Sequence, residues 1–204
     1  MQNIQVVIDA VFNLVLFSFI PFVWWVFFHR KKEKFFSWIG FIKPDVKHKR
    51  VFIILFVSFM AISAGSNFIP AIFDRSISGT GQLQGTGISA LFQALLFGMV
   101  QTGAAEEILF RGFLAKRLIK WLGFSIGNIA QAALFGLLHI AFLYLAATDA
   151  NIFQGLMLFI IPFSGGWLFG YINEKQSGGS IVPSWLMHGI GNVIAAVISM
   201  YFFR

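Results

Sequence analysis

Six stretches of this chain are long and apolar enough to cross a lipid bilayer, and that feature limits the folds open to it more than any other. A hydrocarbon core of about 30 Å takes about 20 apolar residues as helix. Stretches of that kind run from Ile4 to Phe28, Val51 to Phe73, Ile88 to Ala115, Phe124 to Ala147, Phe153 to Asn173 and Val182 to Phe203. With no water in the bilayer to satisfy N–H and C=O groups, an apolar span of this length folds as a helix. The expected fold is therefore all-α: a polytopic membrane helix bundle of about six transmembrane helices. It forms a single membrane domain over residues 1–204, with no room left for a soluble domain. Met1 to Gln5 carries no basic side chain and the first apolar run is too long for a cleavable signal, so that run is expected to stay as a membrane helix.

Composition closes the other routes. The chain is 58% hydrophobic and 11% charged, against roughly 25% charged residues in an ordinary soluble domain. Its 27 Phe supply far too much apolar surface for a disordered chain. It has no Cys, which removes disulfides, thiolate metal sites and a thiol nucleophile together.

The net charge of +7 takes its meaning from where the charges lie. Twelve of the 15 Lys and Arg fall on one set of alternating connections, from His29 to Arg50, around Lys116, Arg117 and Lys120, and at Lys175; only Arg75 and Arg204 fall on the other set. By the positive-inside rule both termini are outside and residues 29–50 form a cytoplasmic basic and interfacial segment. The run from His29 to Lys34 is then a topology signal in contact with anionic lipid, and no nucleic-acid partner is expected. Phe35 to Val46 is expected to lie along the interface with its aromatic rings at headgroup depth. Asp74 to Gly87, rich in Ser, Thr and Gly, is expected to be a flexible outer loop.

Ionisable groups inside a span are costly and mark function by default. Here they are Asp9, Glu106, Glu107, Arg111, His139 and His188. Asp9 is expected at a helix contact or the outer interface. The others form three patterns: EEILFR in the third span, FGLLH (Phe135 to His139) in the fourth and HGIGN (His188 to Asn192) in the sixth. Residues four apart share a helix face, so Glu107 pairs with Arg111 while Glu106 points elsewhere and stays free. The same spacing packs Phe135 one turn below His139 and puts His188 and Asn192 on one face. At about 1.5 Å per residue, Glu106, His139, His188 and Asn192 lie at overlapping depths, from about 9 to about 22 Å above the cytoplasmic helix ends. They are expected to converge in a membrane-embedded polar cavity nearer the cytoplasmic side. Each motif alone has an ordinary explanation as packing, and Gly165, Gly166 and Gly170 read as close helix contacts; it is the combination in three separate spans that asks for one cause.

In order and spacing these motifs resemble the E-E-x-x-x-R, F-x-x-x-H and H-x-x-x-N motifs of the CAAX protease and bacteriocin-processing family, also called the ABI family, of intramembrane endopeptidases. The resemblance covers a core of about residues 88–200. It implies hydrolysis of a peptide bond in a membrane-associated peptide or protein. It further implies Glu106 as the general base that activates water, and Glu107 with Arg111 as supports of the motif helix. His139 would position the water and share its proton, with Phe135 supporting it, and His188 and Asn192 would donate hydrogen bonds to the oxyanion. Glu and His together are also zinc ligand chemistry, with Glu106, His139 and His188 as the metal set, but neither H-E-x-x-H nor its inverse is present. The expectation is a glutamate mechanism without cofactor, zinc being the alternative. No G-x-S-G serine motif is present, and Asp9 has no partner for a two-aspartate mechanism. Two other readings stand beside the peptidase: a non-catalytic immunity or regulatory scaffold of the same family, and a small proton-coupled transporter, which the lack of an internal repeat disfavours. A bacterial plasma membrane is the expected location.

Overall fold

The computed structural model describes residues 2–66, 83, 86–146 and 151–202, and every regular element among them is helical. α1 is Gln2–Phe28, α2 the short Phe35–Trp38 and α3 Lys49–Ser66. α4 covers residues 87–115, and α5 is Lys116–Ala146. α6 is Ile152–Tyr171, continued by a wide turn at Ile172–Gln176, and α7 is Val182–Phe202.

Four continuous helical runs among the described residues can cross a membrane by length and apolarity: Ile4–Phe28, Leu91–Leu145, Ile152–Gln176 and Val182–Tyr201. The second of these, 55 residues long, combines the third and fourth expected spans. It breaks at Gly123, whose φ of 77° and ψ of 166° lie outside the helical region, a conformation open to glycine because it has no Cβ. Beyond that break α5 folds back onto the last turns of α4. Gly127 sits so close to Leu118 and Ile119 that a Cβ there would meet their backbone. The expected loop between these spans is thus a helical turn closed by one glycine. α3 begins two residues before the expected second span; residues 67–73 of that span lie outside the described residues, as do most of the Asp74 to Gly87 loop and Phe203.

α4 is the central helix. α1 packs along one side of it and α7 along another, while α5 and α6 form an antiparallel pair and α3 lies against α7. Outward faces are apolar: Ile4, Ile8, Phe12 and Phe19 on α1, Leu137 on α5 and Ile160 on α6 are all exposed. So large an apolar surface is solvated by lipid, not water.

The segment after α1 departs from expectation. Phe36, Phe41 and Ile42 are exposed, as an interfacial stretch requires, but Trp38 and Ile39 are buried. They pack with Phe113 of α4 and Ile181 before α7. The Arg117 guanidinium lies 3.6 Å from the Trp38 ring centroid, and the His29 ring stands 5.1 Å from the same indole. Burial, with the cations of Arg117 and Lys32 nearby, lowers the His29 imidazole below its ordinary range. Backbone bonds tie the segment to the loop before α7: Ile181 N–H donates to Gly40 (2.8 Å) and Lys47 N–H to Gln176 (3.1 Å). Ser180 Oγ donates to Ile42 (2.6 Å). Gly40, at φ 84°, faces the Gly179 carbonyl so closely that no side chain fits there. Residues 35–47 therefore form a strap across one end of the bundle. The correction has a physical cause: two bulky apolar side chains bury more surface against Phe113 and Ile181 than the headgroup layer offers.

Candidate active site

The site begins with the winding of α4. It widens to a π-helix over Leu96–Ala104 and again over Ile108–Ala115, leaving only Ala105–Glu107 between them as regular α-helix. Wide turns redirect side chains and release carbonyls from the helical ladder. Thr102 Oγ1 donates to the Phe97 carbonyl five residues back (2.9 Å), and Trp185 Nε1 of α7 donates to the Met99 carbonyl (2.7 Å).

α7 approaches this stretch through glycines. A Cβ on Gly98 would lie 2.8 Å from the Gly189 carbonyl oxygen and 2.7 Å from the Val193 side chain, and one on Gly103 would lie 3.2 Å from Gly189 Cα. Small residues at a crossing let helix backbones come together. Here the crossing lies beside His188 and brings it onto both glutamates.

Glu107 and Arg111 are buried to 0% and 1% exposure. Arg111 Nη1 stands 3.0 Å from Glu107 Oε1, the pair the i,i+4 spacing predicts. The guanidinium also lies 4.1 Å from the Phe135 ring centroid and 5.2 Å from that of Phe169, a cation held between aromatic faces. His188 Nδ1 lies 3.1 Å from Glu107 Oε1, and Ser184 Oγ donates to Oε2 at 2.6 Å. Glu106 is less separate than its rotation suggests, for its Oε2 lies 3.7 Å from His188 Nε2. That oxygen is buried and has no hydrogen-bond partner among the described residues.

His139 stacks edge-on to Phe135, ring centroids 4.6 Å apart, and Phe135 in turn stands 6.0 Å from the His188 ring. His139 Nδ1 donates to the Phe135 carbonyl at 2.9 Å. Asn192 Nδ2 donates to Thr102 Oγ1 at 2.8 Å, so one turn beyond His188 it is anchored to the wide stretch of α4 just before Glu106. Glu106, Glu107, Arg111 and His188 thus form one contact cluster. Phe135 joins His139 to it, and Asn192 is tied to it through α4.

Several polar residues at the site carry no charge, which is why a search for ionisable groups passes over them. Asn128 and Gln131, fully buried on α5, donate to the Trp167 (2.9 Å) and Gly166 (2.8 Å) carbonyls of α6. Gly166 and Gly170 are close contacts, as expected, against Arg111 and Asn128 respectively, whereas Gly165 has ordinary clearance. Asn173 Nδ2 donates to Ser184 Oγ at 2.7 Å. The signal for Ser184 is its place four residues before His188. Asp9 is exposed on α1, accepts from Gln5 Nε2 at 2.8 Å and borders a cleft with Gln93 and Gln101 of α4, away from the cluster. Among the described residues, no group of three or more His, Cys, Asp or Glu is arranged to hold a metal ion.

Residues 86–194, more than half of the chain and including all three motifs, match the family model described as type II CAAX prenyl endopeptidase Rce1-like. No curated protein and no solved structure matches the chain. Motifs that match in order and a helical membrane bundle that gathers most of them around one partly buried histidine lead to the same place: this chain belongs to the Rce1-like family of membrane endopeptidases.

Proposed function

We propose that the protein is an intramembrane endopeptidase in which Glu106 activates water for attack on a peptide bond of a membrane-associated peptide or protein. The observation that carries this reading is the unpartnered Glu106 Oε2, buried 3.7 Å from His188 Nε2. A buried carboxylate oxygen without a donor asks for one, and a water held against it would donate to it. Glu106 takes a proton from that water as its oxygen adds to the scissile carbonyl. His139 shares in positioning the water, and His188 and Asn192 meet the charge that develops on the carbonyl oxygen. Donors held in place in a dry site are effective because they need no reorganisation during the step. Glu107, beside Arg111, His188 and Ser184, holds the motif helix and the histidine.

The mechanism is proposed without a cofactor. What supports this is the sequence, which has neither H-E-x-x-H nor its inverse. The positive-inside pattern supports outside termini and a cytoplasmic strap.

The test is cleavage of a mixed library of membrane-associated peptides, with and without a prenylated C-terminal Cys, by purified protein in lipid. Wild type is compared with Glu106→Ala and with wild type plus a strong chelator. Product from wild type that is lost in Glu106→Ala and unaffected by chelator is the expected result. Equal product from Glu106→Ala overturns the mechanism. Loss with chelator, restored by zinc, moves Glu106, His139 and His188 into a metal shell, and binding without turnover favours the scaffold reading.

A further inference from the structure

Two side-chain pairs bridge the crossing of α4 and α7. Glu106 Oε2 stands 3.7 Å from His188 Nε2, and Asn192 Nδ2 stands 2.8 Å from Thr102 Oγ1. Thr102 is four residues before Glu106 and Asn192 four after His188. The helices run antiparallel here, Ser184 meeting Glu107 and Val193 lying against Gly98, so both offsets lead the same way along the bundle. The second pair therefore lies about one turn, or about 5 Å, beyond the first. Thr102 belongs to none of the three motifs. Its hydroxyl has two backbone acceptors, the Phe97 carbonyl at 2.9 Å and the Gly98 carbonyl at 3.4 Å. In a regular α-helix a Thr hydroxyl turns back to a carbonyl three or four residues earlier; in this wide stretch the nearer one is five residues back. The single hydroxyl proton goes to the backbone, so toward Asn192 the oxygen is an acceptor. An Asn amide has an oxygen at one end and two N–H groups at the other, and only the N–H end can meet an acceptor.

We infer that Thr102 is a positioning residue: its hydroxyl, aimed by the Phe97 carbonyl, fixes the Asn192 amide with Nδ2 toward α4 and one N–H left to donate. This rests on the peptidase reading, in which that N–H meets the oxyanion. The last torsion of an Asn side chain is broad and roughly two-fold, so without the hydroxyl the amide is free to turn over. A turned amide presents the lone pairs of Oδ1 where the N–H was, and these repel the charge that the N–H would stabilise. A donor held in place before the charge appears needs no reorganisation during the step. The two pairs then divide the substrate between them. Water is held at Glu106, the carbonyl oxygen lies about one turn away at Asn192, and the scissile carbon sits between. The winding of α4 enters the chemistry by this route, because it sets which carbonyl aims the Thr102 hydroxyl.

The test compares full-length Thr102→Val, Thr102→Ala and Thr102→Ser with wild type, each alone and combined with Asn192→Ala, on a peptide the protein cleaves. Thr102→Val and Thr102→Ala are expected to lower kcat about tenfold with KM little changed, a smaller loss than removing the oxyanion donor itself. Thr102→Ser keeps the hydroxyl and is expected to restore kcat. In the Asn192→Ala background the same substitutions are expected to cost nothing further, because two residues that act as one unit are not additive. A merely structural role would lower the rate by the same factor in both backgrounds. The side-chain amide NMR signals of 15N-labelled asparagine in detergent give a readout that needs no turnover, with the Asn192 pair assigned as the one missing from Asn192→Ala. That pair is expected to shift in Thr102→Val and to keep its place in Thr102→Ser. Additive losses, a pure KM effect, an unchanged kcat in Thr102→Val, or an Asn192 pair that does not move in that variant overturns the inference. An Asn192 pair that responds as expected in a protein that cleaves nothing supports the anchoring by Thr102 and counts against the peptidase reading.

Discussion

Glu107 and Arg111 pair across one helical turn at 3.0 Å with almost no exposure, and Arg111 has no route to water. Removing one partner strands the other charge in a dry interior, which costs about 3–5 kcal/mol. Arg111→Met is expected to lower the thermal midpoint in detergent by that measure. Arg111→Met combined with Glu107→Gln is expected to lower it less than the sum of the singles, because no uncompensated charge remains. Thermal unfolding of the two single variants and the double variant checks this.

Asn192 is anchored by Thr102 and retains a second amide N–H, the one proposed to meet the oxyanion. Asn192→Ala is expected to lower kcat about 100- to 1,000-fold, the loss seen when one oxyanion donor is removed. KM should change little, since the charge appears only in the transition state. Steady-state kinetics on any cleaved peptide separate the two constants; a pure KM effect would contradict the role.

The crossing of α4 and α7 leaves no space at Gly98, where an added Cβ meets backbone as well as side chain. Gly98→Ala is expected to destabilise by about 1–3 kcal/mol, the usual cost of overpacking, and to move His188 off the glutamates with loss of activity. Gly65→Ala on α3, which meets nothing within 4 Å among the described residues, is the control and should be neutral or stabilising by up to about 1 kcal/mol. Melting curves of the two variants decide.

Trp38 is the anchor of the strap, stacked under Arg117 and packed on Phe113. Trp38→Ala is expected to cost about 3–5 kcal/mol in this packing and to loosen residues 35–47. Limited trypsin digestion should then cut faster after Lys47, while cutting within the exposed run from Arg30 to Lys34 is unchanged.

Local rules made much of this protein readable from its residues. Apolar length marks the four runs that can cross a membrane among the described residues to within a few residues, because the bilayer thickness dictates it. The Glu107–Arg111 and Phe135–His139 contacts follow from helical spacing, which survives here although α4 is wound wide around the first pair. What these rules do not reach is any contact set by how helices cross. His188 rests on a carboxylate 81 positions away, and Ser184 on the same one from 77. Both depend on the depth to which glycines let α7 approach α4. The merging of two spans around Gly123 and the burial of Trp38 and Ile39 are likewise decisions of packing. Sequence alone therefore determined which groups enter the membrane and which lie one turn apart, since bilayer thickness and helical pitch are local constraints. Only the tertiary structure decided that one histidine stands between two carboxylates, because that position is the joint result of two helices meeting at a glycine crossing.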